Sequence, residues 1–75
     1  MGDPLLMNEK LDRLIAEMVE RGLRFPEATR EFERRFICRV LADADGNLSK
    51  AADELGIHRN TLSRKMAEHR IKRRP

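Results

Sequence analysis

Tryptophan and tyrosine are absent from this sequence, cysteine occurs once, and no uninterrupted apolar run is longer than a few residues. Each shortage closes a possibility. A lone Cys38 cannot form an internal disulfide. Cys38, His58 and His69 stand at none of the spacings that zinc ligands adopt, so no metal and no cofactor is expected. No stretch approaches the roughly 18 apolar residues of a membrane span. The N-terminus lacks the basic-then-apolar layout of a secretory signal, and Leu6 stands where a myristoylation motif needs Ser or Thr. The expected location is the cytoplasm. No alternating β-branched run marks a strand, and the "DGN" at 45–47 resembles a hairpin turn but has flanks of helical period. There is no phosphate-binding glycine loop, no carboxylate pair in a pocket-forming context and no nucleophile with a matching base, so an enzyme is not expected.

What is abundant is charge. Charged residues make up 39% of the 75, with a net charge of only +3. Residues 1–56 hold nine Lys/Arg against twelve Asp/Glu, a net of −3, while residues 57–75 hold seven against one, a net of +6. Such a one-ended excess is the electrostatic footprint of a polyanion binder. A chain this short buries a modest fraction of its surface. With disulfide and metal excluded, dimerisation is the remaining common source of stability.

Hydrophobic spacing predicts an all-α chain of four helices. Asp3 before Pro4 is a helix start, an N-cap followed by a proline that loses no needed donor. Met7, Leu11, Leu14, Ile15 and Met18 repeat at steps of three and four, and Gly22 should end the helix in a left-handed cap. Pro26 opens a second helix and biases Phe25 toward an extended conformation between the two. Ala28, Phe32, Phe36, Ile37, Val40, Leu41 and Ala44 spread over an arc of roughly 220°, too wide for one covered face, which predicts a central helix in an intertwined dimer. All three phenylalanines, Phe25, Phe32 and Phe36, are assigned to the core, an arrangement unlike the stacking platform of a single-strand binder. Arg30, Arg34, Arg35 and Arg39 form a solvated face with pairs such as Glu31 to Arg35. Cys38 sits at the edge of the arc as a structural thiol. Gly46 and Asn47 close this helix. Ser49, with Asn47 as the alternative, caps a third, which buries Ala51, Ala52 and Leu55. Leu62 and Met66 define the fourth, Ile71 packs at its end, His69 is placed on the surface, and "KRRP" forms a solvated tail.

The stretch "GNLSKAADELGIHRNTLSRKM" therefore reads as a short helix, a turn at Gly56 and a second helix, which is the helix-turn-helix arrangement. Small Ala52 permits close approach of the helices, and Gly56 permits a turn that a side chain would obstruct. Leu55, Ile57, Leu62 and Met66 fill the space between them. Arg59, Asn60, Ser63, Arg64 and His58 are left free to face bases, and Lys50, Lys65 and the tail residues Lys72, Arg73 and Arg74 to meet phosphates. His58 is equally readable as a neutral cap of the turn.

Extended to "GNLSKAADELGIHRNTLSRKMAEHRI", the motif resembles the C-terminal helix-turn-helix of the Fis family, and "EFERRFICRVLADADGN" resembles that family's long dimerisation helix. The resemblance covers residues 32–71, while residues 1–24 match only as a helix of suitable position and polarity. It implies a four-helix Fis-like subunit in an intertwined homodimer, with residues 1–45 for dimerisation, 46–71 for DNA binding and 72–75 as a basic tail. It further implies that Leu11, Leu14, Ile15, Met18, Phe32, Phe36, Ile37, Val40 and Leu41 form the dimer interface. Arg59 becomes the main base reader, with His58 and Arg64 on base edges or nearby backbone, and Asn47, Ser49, Thr61 and Lys65 on phosphates. His58 and Ser63 depart from the residues common at their positions in the family. The implied function is double-stranded DNA binding with sequence preference and bending, by a transcriptional regulator or nucleoid-associated protein of the bacterial cytoplasm, with RNA polymerase as a further candidate partner. Met1 and the Asp-Pro cap favour a complete small protein over the end of a larger activator. The competing expectation is a helical interaction module whose basic tail meets an acidic partner or a membrane surface.

Overall fold

Capping residues and left-handed turns divide the chain into α1 (Pro4–Glu20), α2 (Phe25–Asp43), α3 (Leu48–Leu55) and α4 (Arg59–Glu68). The computed structural model describes residues 4–72 and contains no strand among them. The Asp3 cap and the phosphate candidates Arg73 and Arg74 lie outside the described residues.

Every helix ends the same way. A backbone N–H reaches back five residues, from Leu23 to Met18 (3.1 Å), Gly46 to Leu41 (3.0 Å), Ile57 to Ala52 (3.1 Å) and Ile71 to Met66 (2.8 Å). This closure satisfies carbonyls that the last turn leaves open, and it needs a left-handed residue just before the donor. Gly22 and Gly56 supply it at α1 and α3 with φ of 81° and 74°, whereas Asp45 and Arg70 supply it at α2 and α4 with φ of 54° and 55°. The left-handed region also contains Gly46 (φ 79°). Helix α2 therefore stops at Asp43, earlier than the closure expected at Gly46 and Asn47, and Asn47 serves the next helix instead.

Two predicted boundaries are corrected. The extended residue between α1 and α2 is Arg24 (φ −85°, ψ 157°), and Phe25 is already helical. The bias imposed by Pro26 is overridden because the first turn starts on Arg24, whose carbonyl accepts from Ala28 (2.9 Å) and whose N–H donates to Glu27 Oε1 (3.0 Å). Pro26, in that first turn, loses no intrahelical bond. At α3 the cap is Asn47, whose side chain accepts from the Lys50 N–H at 3.1 Å, so Ser49 lies inside the helix.

The core is built from the second half of α2 and the two short helices. Ile37, Leu41, Ala44, Leu48, Ala51, Ala52, Leu62 and Met66 are buried together, with Val40, Leu55, Ile57 and Ile71 packed against them. Helix α3 packs on both α2 and α4. Ahead of residue 37 the pattern reverses. Every described side chain of α1 except that of Met18 is exposed. Phe25, Phe32 and Phe36 are 80%, 58% and 50% exposed, so the phenylalanines expected in the core lie outside the core that this chain forms by itself. Conversely Ile37 and Leu41, expected at an interface between copies, are enclosed in the chain's own core, because α3 and α4 cover that side of α2.

Candidate nucleic-acid interface

Leu62 is fully buried and Met66 nearly so, which fixes the inward side of α4. At 100° per residue Arg64 lies about 180° from the midpoint of those two, Asn60 about 140° and Ser63 about 80°. Arg59 is nearer the inward side by rotation and remains exposed at the first position of the helix. The structure thus brings Arg59, Asn60, Ser63 and Arg64 onto one exposed surface beside the turn. Their side chains have no hydrogen bond or ion pair among the described residues. Lys50, Arg70 and Lys72 are likewise exposed without an ion pair. A cation without an intramolecular carboxylate is available to an external anion.

The turn itself is set by backbone conformation. A Cβ added at Gly56 would meet nothing within 4 Å, so glycine is required there for φ rather than for space, which corrects the expectation of an obstructing side chain. His58 then adopts an extended conformation (φ −71°, ψ 146°) and caps α4, its Nδ1 accepting from the Asn60 N–H at 3.0 Å. A ring nitrogen that accepts is unprotonated, so this bond selects the tautomer with hydrogen on Nε2. The exposed His58 ring presents that donor beside Arg59.

Of the phosphate candidates, Asn47, Ser49, Lys50 and Lys72 are exposed and Thr61 is half-buried. Lys65 is placed differently. It is half-buried, and its Nζ forms an ion pair with Glu33 Oε1 on α2. The second oxygen of the same carboxylate lies 3.2 Å from His69 Nε2. His69 is 6% exposed, a correction to its expected surface position. Its Nδ1 is buried without a hydrogen-bond partner. The hydrogen bonds from Lys65 and then His69 hold the Glu33 carboxyl below the usual carboxylate range.

Glu33 and His69 are the site residues that sequence reasoning passed over, although a signal existed. His69 follows Leu62 and Met66 at steps of four and three, which places it on the core side of α4. Glu33 precedes the core residues Ile37 and Leu41 at steps of four, and an acid in register with a core face calls for a partner.

Cys38 is half-buried, and no group of three or more metal-ligating side chains is present among the described residues. No helix among them is long and apolar enough to cross a membrane. The family model described as bacterial regulatory protein, Fis family, matches residues 28–69, which is more than half of the chain. Neither a curated protein nor a solved structure matches it.

Proposed function

The chain belongs to the Fis family of bacterial regulatory proteins, whose helix-turn-helix domains bind DNA, and from that premise we propose a homodimer that binds double-stranded DNA with sequence preference, inserts α4 of each subunit into the major groove and bends the duplex. Its role is that of a transcriptional regulator or nucleoid-associated protein. The observation that carries this reading is the two-sidedness of α4. Leu62 and Met66 seal one side into the core, and Arg59, Asn60, Ser63 and Arg64 stay exposed and unengaged among the described residues. In the proposal Arg59 reads a base directly, with His58, Asn60, Ser63 and Arg64 beside it, while Asn47, Ser49, Lys50, Thr61 and the basic end of the chain hold phosphates. Lys65 reaches a phosphate only by leaving Glu33.

Dimerisation is supported by the exposed apolar residues of α1 and of the first half of α2, chiefly Leu11, Leu14, Ile15, Phe32 and Phe36. Large apolar side chains exposed in such number mark an interaction surface. Selection of bound sequences from a random duplex pool, followed by gel retardation across salt concentrations, tests the whole reading. Log K should fall against log salt with a slope of about −0.9 per phosphate contacted. Arg59→Ala should weaken the selected site by about 1–3 kcal/mol and relax one base position. Equal loss on every sequence would reduce Arg59 to a phosphate contact. Failure of the wild-type protein to retard any duplex at physiological salt would favour the interaction module.

A further inference from the structure

Among the described residues the Glu33 contacts to Lys65 and His69 are the only side-chain hydrogen bonds or ion pairs that join two different helices. Every other one is local, spanning four residues or fewer. Lys65 of α4 and His69, the residue that caps its C-terminal end, are four apart, about one helical turn, and each takes one oxygen of a single carboxylate on α2.

The apolar side of α4 rests on Leu62 and Met66, and apolar contacts of that sort have no directional preference. Hydrogen bonds do. Two of them, a turn apart, oppose rotation of α4 about its axis, and that rotation decides whether Asn60, Ser63 and Arg64 face outward together. Glu33 also touches the other half of the molecule. It shares with Phe32, Phe36, Ile37, Leu55, Ile57 and Lys65 the lining of an open, mostly apolar depression where α2 meets α3, the turn and α4. Phe32 and Phe36 of that lining are exposed residues of the proposed subunit interface.

Resting on the DNA-binding reading, we infer that Glu33 is a positioning residue for sequence discrimination: its carboxylate sets the rotation of α4 relative to the helix that joins the subunits, and Lys65 serves that carboxylate rather than the DNA backbone. An acidic residue next to a DNA-binding helix ordinarily opposes binding by repulsion, so its removal should tighten the complex on every sequence. Positioning makes the contrary prediction. Removal should cost discrimination.

The experiment measures affinity for a selected duplex and for a random duplex of equal length, for the wild type, Glu33→Ala, Glu33→Gln and Lys65→Ala, with helix content and sedimentation recorded for each. Glu33→Ala should lower the selected-to-random ratio by about fivefold, while affinity for random duplex changes by about twofold or less. Glu33→Gln, which keeps an acceptor for Lys65 and offers an amide N–H to the other tautomer of His69, should restore most of the ratio. Lys65→Ala should lower the ratio with an unchanged salt slope. Equal tightening on both duplexes by Glu33→Ala and Glu33→Gln would overturn the inference in favour of simple repulsion. A salt slope smaller by about one in Lys65→Ala would overturn the assignment of Lys65. Should Glu33→Ala lose helix content, the Gln and Lys65 variants decide by the same criteria. Wild-type protein with equal affinity for both duplexes would refute DNA reading itself, a failure distinct from that of the positioning role.

Discussion

Residues 37–71 bury most of their apolar side chains in the chain's own core, whereas residues 5–36 leave all of theirs but Met18 and Ala28 exposed. Both regions have helical spacing and comparable apolar content, so neither propensity nor hydrophobicity separates them. Topology does. The turns at Gly46 and Gly56 fold α3 and α4 back onto the end of α2, and the turn at Gly22 leaves α1 without comparable cover. One region is a finished core, and the other leaves its apolar side chains uncovered. Charge pairing divides the chain at a different place. Arg21, Arg35 and Arg39 are paired within their own helices with Glu17, Glu31 and Asp43 at 3.0, 2.9 and 3.2 Å, while Arg59, Arg64 and Arg70 have no carboxylate partner among the described residues. Lys10, Arg13, Arg30 and Arg34 of the first region are unpaired among the described residues as well, so what distinguishes the end of the chain is its net positive charge after residue 57.

Truncation at the centre of the finished core should produce the largest effect. Leu62→Ala removes a fully buried side chain and should destabilise the helix-turn-helix by about 2–5 kcal/mol, read by urea denaturation and independent of protein concentration. A loss under about 1 kcal/mol would mean that the site collapses freely and that the core is not the unit described. Phe36→Ala is the counterpart in the unfinished region. Its ring is 50% exposed and packs on Phe32 with centroids 5.5 Å apart. It should cost about 2 kcal/mol of association, seen as dissociation on dilution in sedimentation, with the far end of the chain unaffected. An undiminished dimer would remove Phe36 from the interface.

Two glycines, one in each region, adopt the same left-handed conformation, which glycine takes without strain. Gly22 and Gly56 each have positive φ and open space where a Cβ would stand, so substitution by alanine costs only the left-handed conformation, about 1–2 kcal/mol. In Gly56→Ala the loss should be independent of concentration. In Gly22→Ala it should grow as the protein is diluted, because in the proposed homodimer α1 is covered by the second copy. Identical concentration dependence for both would erase the distinction between the regions.

The smallest effect concerns pH. The folded Glu33 carboxyl is held below its unfolded value, so its contribution to stability is present above the unfolded carboxylate range and is lost as pH falls through the folded value. Glu33 is more than a third exposed and solvent screens it. Acid titration of stability in Glu33→Gln should lack this small component, and an unchanged acid profile would show that the Lys65 and His69 contacts do not persist in solution.

Most of the chain's punctuation was legible without coordinates. Four helices, the Asn47 alternative at the start of α3, the turn at Gly56 and the inward pair Leu62 and Met66 all rest on interactions spanning about five residues or fewer, where residue type and spacing suffice. The outward set on α4 followed from the same periodicity. His69 was misplaced on the surface because its partner Glu33 lies 36 residues away, and local pattern has no access to such a distance. Phe32 and Phe36 have one and the same apolar spacing whether the chain's own interior or another surface covers them, so the sequence places them both in a core and at an interface between copies, and only the structure shows that this chain's own core leaves them out.

By itself the sequence determined where helices begin, turn and stop, which sides of them are apolar, and that positive charge collects after residue 57. Each of these depends on neighbours along the chain, through backbone hydrogen bonds, φ preferences and the 3.6-residue repeat. Tertiary structure alone decided that Ile37 and Leu41 are enclosed while Phe32 and Phe36 are not, and that one carboxylate on α2 holds two positions of α4. Those outcomes depend on the angle at which distant helices meet, a quantity set by the mutual packing of many side chains at once.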